Sequence, residues 1–416
     1  MGSKYAPSLR LFLPLWTLLL EAAFILTFMF LIPSEAPANM LKDSLELYSA
    51  FQDVNVMAVL GFGFLVASLR RFSWSGLAFN LFLVAVGVQW TVLLDGFLFH
   101  FSAGKLYIGL RSLLVATMSV VSVLISAGAI LGQANVVQLL VMTLVEVSAF
   151  SITRWLSLEI LQVETHEFMM YVHIFGAYFG LMVAWFLWKP LPKEALEKAK
   201  AATTTGLFSM LGTLFLWMFW PTFNSVLLDV HVAKKAVFNT YYAIAASAVT
   251  AIALSAAAHS RGKIDMVDVH NATLAGGVAV GPTARLIESP ALAMALGLVA
   301  GSISVLGAKC LPVCFNRVLK IHDTCGVHST FGLPGLLGGV AYIGFNLVEA
   351  SWTNFTKMGY QALLDAGSLS LAVAMSLATG VLTGLLLMLK IWKTPHVVKH
   401  FDDQAFWEFP HLAVGY

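Results

Sequence analysis

Long apolar stretches alternate with short polar segments along almost all of this 416-residue chain. A helix needs about 20 apolar residues to cross a ~30 Å hydrocarbon core. Such stretches occur at twelve places: residues 12–32, 54–70, 77–98, 107–131, 136–156, 169–189, 205–227, 236–258, 268–284, 289–308, 325–348 and 370–391. The pattern predicts an all-α membrane protein with about twelve transmembrane helices. The ninth stretch is small and polar, which favours a helix packed closely among others.

Composition supports this prediction, because 59% of the residues are hydrophobic and only 11% are charged. Soluble proteins carry about a quarter of charged residues. The connecting segments are short, so we expect one polytopic membrane domain over residues 1–416, with a short cytoplasmic tail at 393–416. The net charge of +2 says nothing about nucleic acid, and no basic run supports such a partner, so we expect none. The sequence offers no nucleophile–base pair and no metal-ligand spacing, so we expect no enzyme activity, metal or cofactor.

Lysine and arginine residues indicate the orientation of the chain. With the N-terminus inside, the inner segments carry sixteen of them and the outer loops six. Positive residues accumulate on the cytoplasmic side of membrane proteins. Both termini are therefore predicted to be cytoplasmic, with an even number of membrane crossings.

Several strings of the sequence resemble the Rh branch of the ammonium transporter family, in order from about residue 10 to the C-terminus. They include Gly61-Phe-Gly-Phe-Leu65, Gly87-Val-Gln-Trp90, His173-Ile-Phe-Gly-Ala-Tyr-Phe-Gly-Leu181, Phe215-Leu-Trp-Met-Phe-Trp-Pro-Thr-Phe-Asn224, Asn271-Ala-Thr-Leu-Ala-Gly-Gly-Val-Ala-Val-Gly281 and Asp323-Thr-Cys-Gly-Val-His328. Within that branch, Asn239-Thr-Tyr-Tyr-Ala243 and Phe409-Pro-His-Leu-Ala-Val-Gly-Tyr416 resemble the blood-group polypeptides rather than the glycoproteins.

This resemblance implies a fold and a set of partners. The fold is a helical bundle with an inverted repeat, assembled as a trimer, with a substrate path through each monomer. The partners are membrane lipid, the Rh-associated glycoprotein in the erythrocyte plasma membrane, and ankyrin, which would connect the cytoplasmic tail to the spectrin skeleton.

Transporting members of the family carry ammonia through an apolar pore past two facing histidines. Neutral ammonia costs much less to desolvate than ammonium, and two neutral imidazoles can fix each other's tautomer. His173 matches the first of these histidines, although a lone histidine on an apolar helix is more often a core residue with its own partner. Phe331 occupies the place of the second histidine. His328 is three residues away and therefore on another part of the helical turn.

Four further residues are expected along the substrate path by the same resemblance. Thr165 replaces the aspartate that other members carry eight residues before the first histidine, and the neighbouring acidic residues could preserve some cation attraction or be a solvated loop. Phe223, followed by Asn224, matches one aromatic of the outer gate. Met118 replaces the other. From sequence alone, an aromatic residue on a membrane helix, such as Phe223, is interpreted as a packing residue.

Charged and modifiable residues outside the pore have plainer interpretations. Burying an unpaired charge at mid-bilayer costs about 3 kcal/mol, so we expect pairing between helices for Arg111, Asp95, Glu21 and Glu146. Cys310 resembles a palmitoylation context, or is a structural thiol. Asn354-Phe-Thr356 is an N-glycosylation acceptor pattern.

The aromatic C-terminal tail is interpreted as an interfacial anchor or as a docking peptide. The predicted function is an Rh-type subunit with impaired or absent ammonia conduction that acts in complex assembly and ankyrin attachment. An active channel for ammonia, ammonium or CO2 is the alternative.

Overall fold

The computed structural model describes residues 8–33, 38–99, 101–102, 104–348 and 355–408. Twelve long or apolar helices dominate these residues, and we number them in chain order. They are α1 (Ser8–Leu31), α2 (Leu47–Ser68), α3 (Ser73–Phe99), α4 (Leu110–Ala129), α5 (Val136–Glu159), α6 (Val172–Leu187), α7 (Thr203–Ser225), α8 (Val230–Ala258), α9 (Met266–Val280), α10 (Pro290–Leu319), α11 (His328–Val348) and α12 (Gly359–Leu387). Short helices at Thr165–Met170 and Lys193–Lys198 flank α6.

Each apolar stretch found in the sequence is confirmed as a helix. Among the described residues, ten of the helices are long and apolar enough to cross a membrane. The exceptions are α6, with 16 residues, and α9, with 15, which are about 24 and 22 Å long at 1.5 Å per residue. α12 begins earlier than the predicted residue 370, because its polar first turns are paired: Asn346 donates to Asp365 at 3.0 Å.

The helices pack in a pattern that repeats after five helices. α3 packs against α4 and α5, and α8 packs in the same way against α9 and α10. α4 contacts α6, as α9 contacts α11. An odd number of crossings per repeat reverses its direction in the membrane, so this pattern is that of the expected inverted repeat.

The helix α4 lies at the centre of the bundle, in close contact with α6. The apolar window of α4 is 83% buried, whereas that of α1 is 6% buried, which places α1 at the periphery. α4 and α6 approach so closely that a Cβ atom on Gly176 would lie 2.4 Å from the carbonyl oxygen of Ser122. Only glycine permits this backbone contact.

Most of the buried charges have partners on another helix, as the sequence predicted. Asp95 on α3 forms an ion pair with Arg154 on α5, and Glu146 accepts a hydrogen bond from Ser126 at 2.5 Å. Glu21 accepts one from Gln89 at 3.3 Å. Arg111 differs, because it faces two cavities at one end of the bundle.

Residues 390–407 form a strap that folds back onto the bundle at the end where α3 begins; we call it the C-terminal strap. The carboxylate of Asp403 accepts hydrogen bonds from the amides of Trp74 and Ser75, at 3.0 and 2.8 Å. The amide of Phe401 donates to Gly132 at 3.0 Å, and its ring is fully buried. The aromatic residues at 401 and 406 thus pack on the chain's own bundle. Neither interpretation of the tail from sequence included this packing.

A two-stranded hairpin lies at the opposite end of the bundle. Strands β1 (Phe101–Ser102) and β2 (Lys105–Leu106) pair antiparallel between α3 and α4. Leu106 is fully buried against Gly96 of α3, so the hairpin closes this end of the α3–α4 pair.

Candidate functional site

A column of four aromatic rings fills the centre of the bundle. Phe62 stacks on Phe331 at 5.8 Å between ring centroids. Phe331 stacks on His173 at 6.1 Å and 8° between planes, and His173 stacks on Trp220 at 5.4 Å and 17°. All four side chains are buried. They come from α2, α11, α6 and α7, so the column joins both halves of the inverted repeat.

His173 is the second residue of α6, and one of its ring nitrogens has a partner while the other has none. Its Nδ1 lies 3.3 Å from the carbonyl oxygen of Met170. That contact requires the tautomer in which Nδ1 carries the hydrogen and donates. Nε2 is then an acceptor, and it is buried without a hydrogen-bond partner, as is the Nε1–H donor of Trp220. A small polar molecule such as ammonia or water could donate to Nε2 of His173 or accept from Nε1–H of Trp220.

Phe331 presents its ring face to His173, as expected from the sequence, and supplies no nitrogen. It lies in a π-helical turn, His328–Gly332, at the start of α11. Asp323 shapes this turn, because its carboxylate accepts from the amides of Val327 and His328, both at 3.0 Å. His328 packs against the rings of Phe315 and Tyr178 instead of joining the column.

A cavity of about 240 Å³ opens beneath the column, at the end of the bundle that carries the strap; we call it the inner cavity. Its lining includes Phe62, Phe331, His328, His270, Asn271 and Asp323. Burial raises the pKa of Asp323 to about 6, against the effect of its backbone hydrogen bonds. Phe62 and Phe331 separate this cavity from His173, which is not among its lining residues.

Of the expected gate residues, Phe223 contacts His173 and Met118 is buried in the same core. The ring of Phe223 meets the imidazole edge-on at 5.6 Å. Met118 and Phe223 are both fully buried in one hydrophobic cluster with His173's neighbours. Asn224 donates to the carbonyl of Gly277 at 3.0 Å and to Thr240 at 3.2 Å, so it ties α7 to α9 and α8.

A polar cavity of about 340 Å³ lies at the opposite end of the bundle; we call it the outer cavity. Its lining includes Thr165, Glu164, His166 and Asp229, and both Arg111 and Arg285. The lining therefore carries as many arginines as carboxylates, so the wall of this cavity has no excess of acidic residues.

Glu167 and His166 adjoin the outer cavity. Glu167 is paired with a cation, and His166 is neutral. Glu167 is buried, and its Oε1 accepts hydrogen bonds from Arg285 and Tyr342. Burial raises the pKa of Glu167, which Tyr342 and Arg285 oppose. Burial, with Arg285 second, lowers the pKa of His166 to about 3, so this ring is neutral at neutral pH.

The structure describes one of the two residues predicted to be modified. Cys310 is exposed on α10 near the strap end of the bundle. Asn354 lies outside the described residues.

Sequence reasoning missed Phe62, Trp220 and Arg285 as members of these sites. Phe62 and Trp220 occur inside strings that carry the family resemblance, which was the available signal. No sequence signal pointed to Arg285, because its partner Glu167 lies 118 residues away along the chain.

The model of the Ammonium Transporter Family matches residues 15–406 of the chain. The chain belongs to the ammonium transporter family. Its relatives include an "RH-like protein" of Macaca mulatta, 57% identical over the whole of both chains, and the human "Blood group Rh(CE) polypeptide", 55% identical over the whole of both. The chain therefore resembles the Rh blood-group polypeptides over its full length.

A solved structure also matches the fold closely. The Rh50 protein of Nitrosomonas europaea superposes with a TM-score of 0.76 at 28% identity, covering 89% of this chain and 94% of that one. The chain is thus an all-α, multi-pass membrane protein with the ammonium transporter fold. Its family consists of transporters, which makes it a channel-fold protein rather than an enzyme.

Proposed function

We propose that this protein is an Rh-type subunit whose channel fold conducts ammonia poorly or not at all. Its role would lie in assembling a complex in the erythroid plasma membrane with the Rh-associated glycoprotein, with both chain termini cytoplasmic. The observation that carries the proposal is the parallel stack of Phe331 on His173. A phenyl ring offers no hydrogen bond to the imidazole or to a passing ammonia molecule, and its bulk lies between the inner cavity and His173.

One observation favours the alternative, an active channel for ammonia or another small gas. Nε2 of His173 and Nε1–H of Trp220 are buried without a partner, and each can form a hydrogen bond with a small polar molecule. An unsatisfied buried group costs about 1–3 kcal/mol, so some affinity for a small polar molecule remains at this point. Conduction would still require the molecule to pass the Phe331 and Phe62 rings.

Ammonia flux into vesicles separates the two functions. The purified chain, Phe331→His and Phe331→Leu are reconstituted, and the internal pH is followed after a jump in ammonium chloride. We expect flux through the wild type close to that of protein-free vesicles. Phe331→His should raise it about ten-fold, because a second imidazole removes roughly 1.4 kcal/mol from the barrier. Phe331→Leu controls for lost bulk, and size-exclusion chromatography checks the folding of each variant.

A high wild-type flux that Phe331→His leaves unchanged would contradict the proposal. Equal increases in ammonia flux through Phe331→His and Phe331→Leu would show that the size of the Phe331 ring alone blocks conduction.

Attachment to ankyrin is part of the same proposal and needs its own test. The C-terminal strap is held by its own bundle, so residues 409–416 are the part of the tail that we propose for the partner. Deleting 409–416 should abolish ankyrin association in cells that contain no other Rh-type subunit, while the strap mutation Asp402→Ala should leave it intact. Association that survives the deletion would refute this role of the tail.

A further inference from the structure

A histidine and two carboxylates converge beside the outer cavity, apart from the aromatic column. One ligand atom from each of Glu164, His166 and Glu167 lies within 4.8 Å of the other two. Glu164 and His166 line the cavity, which gives an ion from solution a path to the cluster. Glu167 lies behind them and is 3% exposed.

The contacts of His166 leave its second nitrogen free. The Nδ1 atom lies 3.2 Å from Oε2 of Glu164, so the tautomer with hydrogen on Nδ1 places this hydrogen next to the carboxylate. Nε2 then carries a lone pair, and it is buried without a hydrogen-bond partner. A carboxylate that receives one N–H of a histidine while the other nitrogen binds metal is a recurring arrangement in metal sites.

Glu167 supplies an independent sign of a missing ligand. Its Oε1 is occupied by Arg285 and Tyr342, but its Oε2 is buried and has no partner. A buried carboxylate oxygen without a partner is costly, and an incoming cation would remove that cost. Because Arg285 and Tyr342 hold the other oxygen, the metal would need no rearrangement of the existing ion pair.

The chemistry of the donor atoms selects the ion. Nitrogen from imidazole and oxygen from carboxylates suit Zn²⁺, whereas Mg²⁺ and Ca²⁺ prefer oxygen alone. We propose that Glu164, His166 and Glu167 form a binding site for one Zn²⁺ ion at the edge of the outer cavity. Nε2 of His166 and Glu167 are its direct ligands, Glu164 orients the ring, and water from the cavity completes the shell.

The Glu167 carboxylate lies close to the free nitrogen of His166. Its Oε1, which holds Arg285 and Tyr342, is 4.0 Å from Nε2 of His166, and Oε2, the oxygen proposed for the metal, belongs to the same carboxylate. A tetrahedral zinc ion with bonds of about 2.1 Å holds its ligand atoms roughly 3.4 Å apart, so the imidazole ring must turn toward Oε2 when the ion binds.

Zinc retention by the purified full-length chain tests the site. The protein in detergent is loaded with Zn²⁺, dialysed, and its metal content measured by mass spectrometry. We expect the wild type to hold one equivalent more than His166→Gln. His231→Gln is the matched control, because His231 is exposed at the start of α8, at the same end of the bundle. Glu164→Gln should keep the site but weaken it about ten-fold or more, since it removes the group that orients the ring.

Equal zinc in the wild type and His166→Gln overturns the proposal, as does an equal loss in His231→Gln. The zinc-loaded wild type provides a measurement that depends on no variant. Its X-ray absorption fine structure should show one imidazole nitrogen among oxygen ligands. A shell containing sulfur or several imidazoles, or a wild type that retains no zinc, also overturns the site.

Discussion

Replacing Asp403 by alanine should release the C-terminal strap. Three hydrogen bonds end on this buried carboxylate: from the amides of Trp74 and Ser75 and, at 2.6 Å, from the Ser75 hydroxyl. The two amides belong to the first turn of α3, where a helix cannot satisfy its own N–H groups. Asp403 therefore caps a membrane helix from a position 328 residues away.

The magnitude follows from these contacts. A lost cap costs about 0.5–2 kcal/mol, and hydrogen bonds to a charged group contribute about 1.5–3 kcal/mol, partly recovered when water reaches the amides. We expect Asp403→Ala to remove roughly 3 kcal/mol from the free energy that holds the strap on the bundle. The strap would then detach about 100-fold more often.

Hydrogen exchange measured by mass spectrometry reports this opening directly. In Asp403→Ala, peptides that cover residues 390–407 and the start of α3 should exchange about 100-fold faster. The neighbouring Asp402 is the matched control. It forms a largely buried ion pair with Lys198 at 2.7 Å and accepts one amide, that of Gln404, at 3.2 Å, so Asp402→Ala should cost about 1–2 kcal/mol and accelerate exchange less than Asp403→Ala.

Unchanged protection in Asp403→Ala would refute the capping role of Asp403. Equal effects of the two substitutions would show that the strap is held by general electrostatic attraction rather than by the cap.

Two further predictions concern the strap and the helix packing. Burial, with the nearby Lys189, lowers the pKa of His400 from 6.5 to about 4, so the docked strap needs the neutral ring and loses stability as the pH falls below 6.5. Between about pH 7.5 and 5 this loss is roughly 2 kcal/mol, measured by limited proteolysis of the strap and absent in His400→Gln. Gly176→Ala places a methyl group against the Ser122 carbonyl and should lower the melting temperature in detergent through overpacking of about 1–3 kcal/mol; Gly344→Ala, which meets nothing within 4 Å, should not.

Much of the fold could be predicted from the sequence, because hydropathy is a local property. A helix that crosses a membrane must be apolar over its whole length and satisfy its own backbone hydrogen bonds. Each predicted stretch therefore became a helix, including α6 and α9. The ends were less predictable, as α12 shows: its first turns carry polar residues that are tolerated only because Asn346 on α11 pairs with Asp365.

The candidate site was predictable where its residues belong to strings that resemble the family. His173 and Phe331 were placed opposite each other from sequence, and they stack in the structure. Phe62 and Trp220 were not recognised, because an aromatic residue on an apolar helix carries no sign of which neighbour it will meet. Their place in the column depends on α2 and α7 meeting between α6 and α11.

The sequence by itself therefore determined the apolar helices, the family and the presence of a phenylalanine at position 331, since each follows from residue type and order along the chain. Only the tertiary structure decided which side chains share a site. The Glu167–Arg285 pair and the Asp403 cap join residues 118 and 328 positions apart. Such contacts arise from helix packing. It brings together side chains whose distance in space cannot be predicted from their separation along the chain.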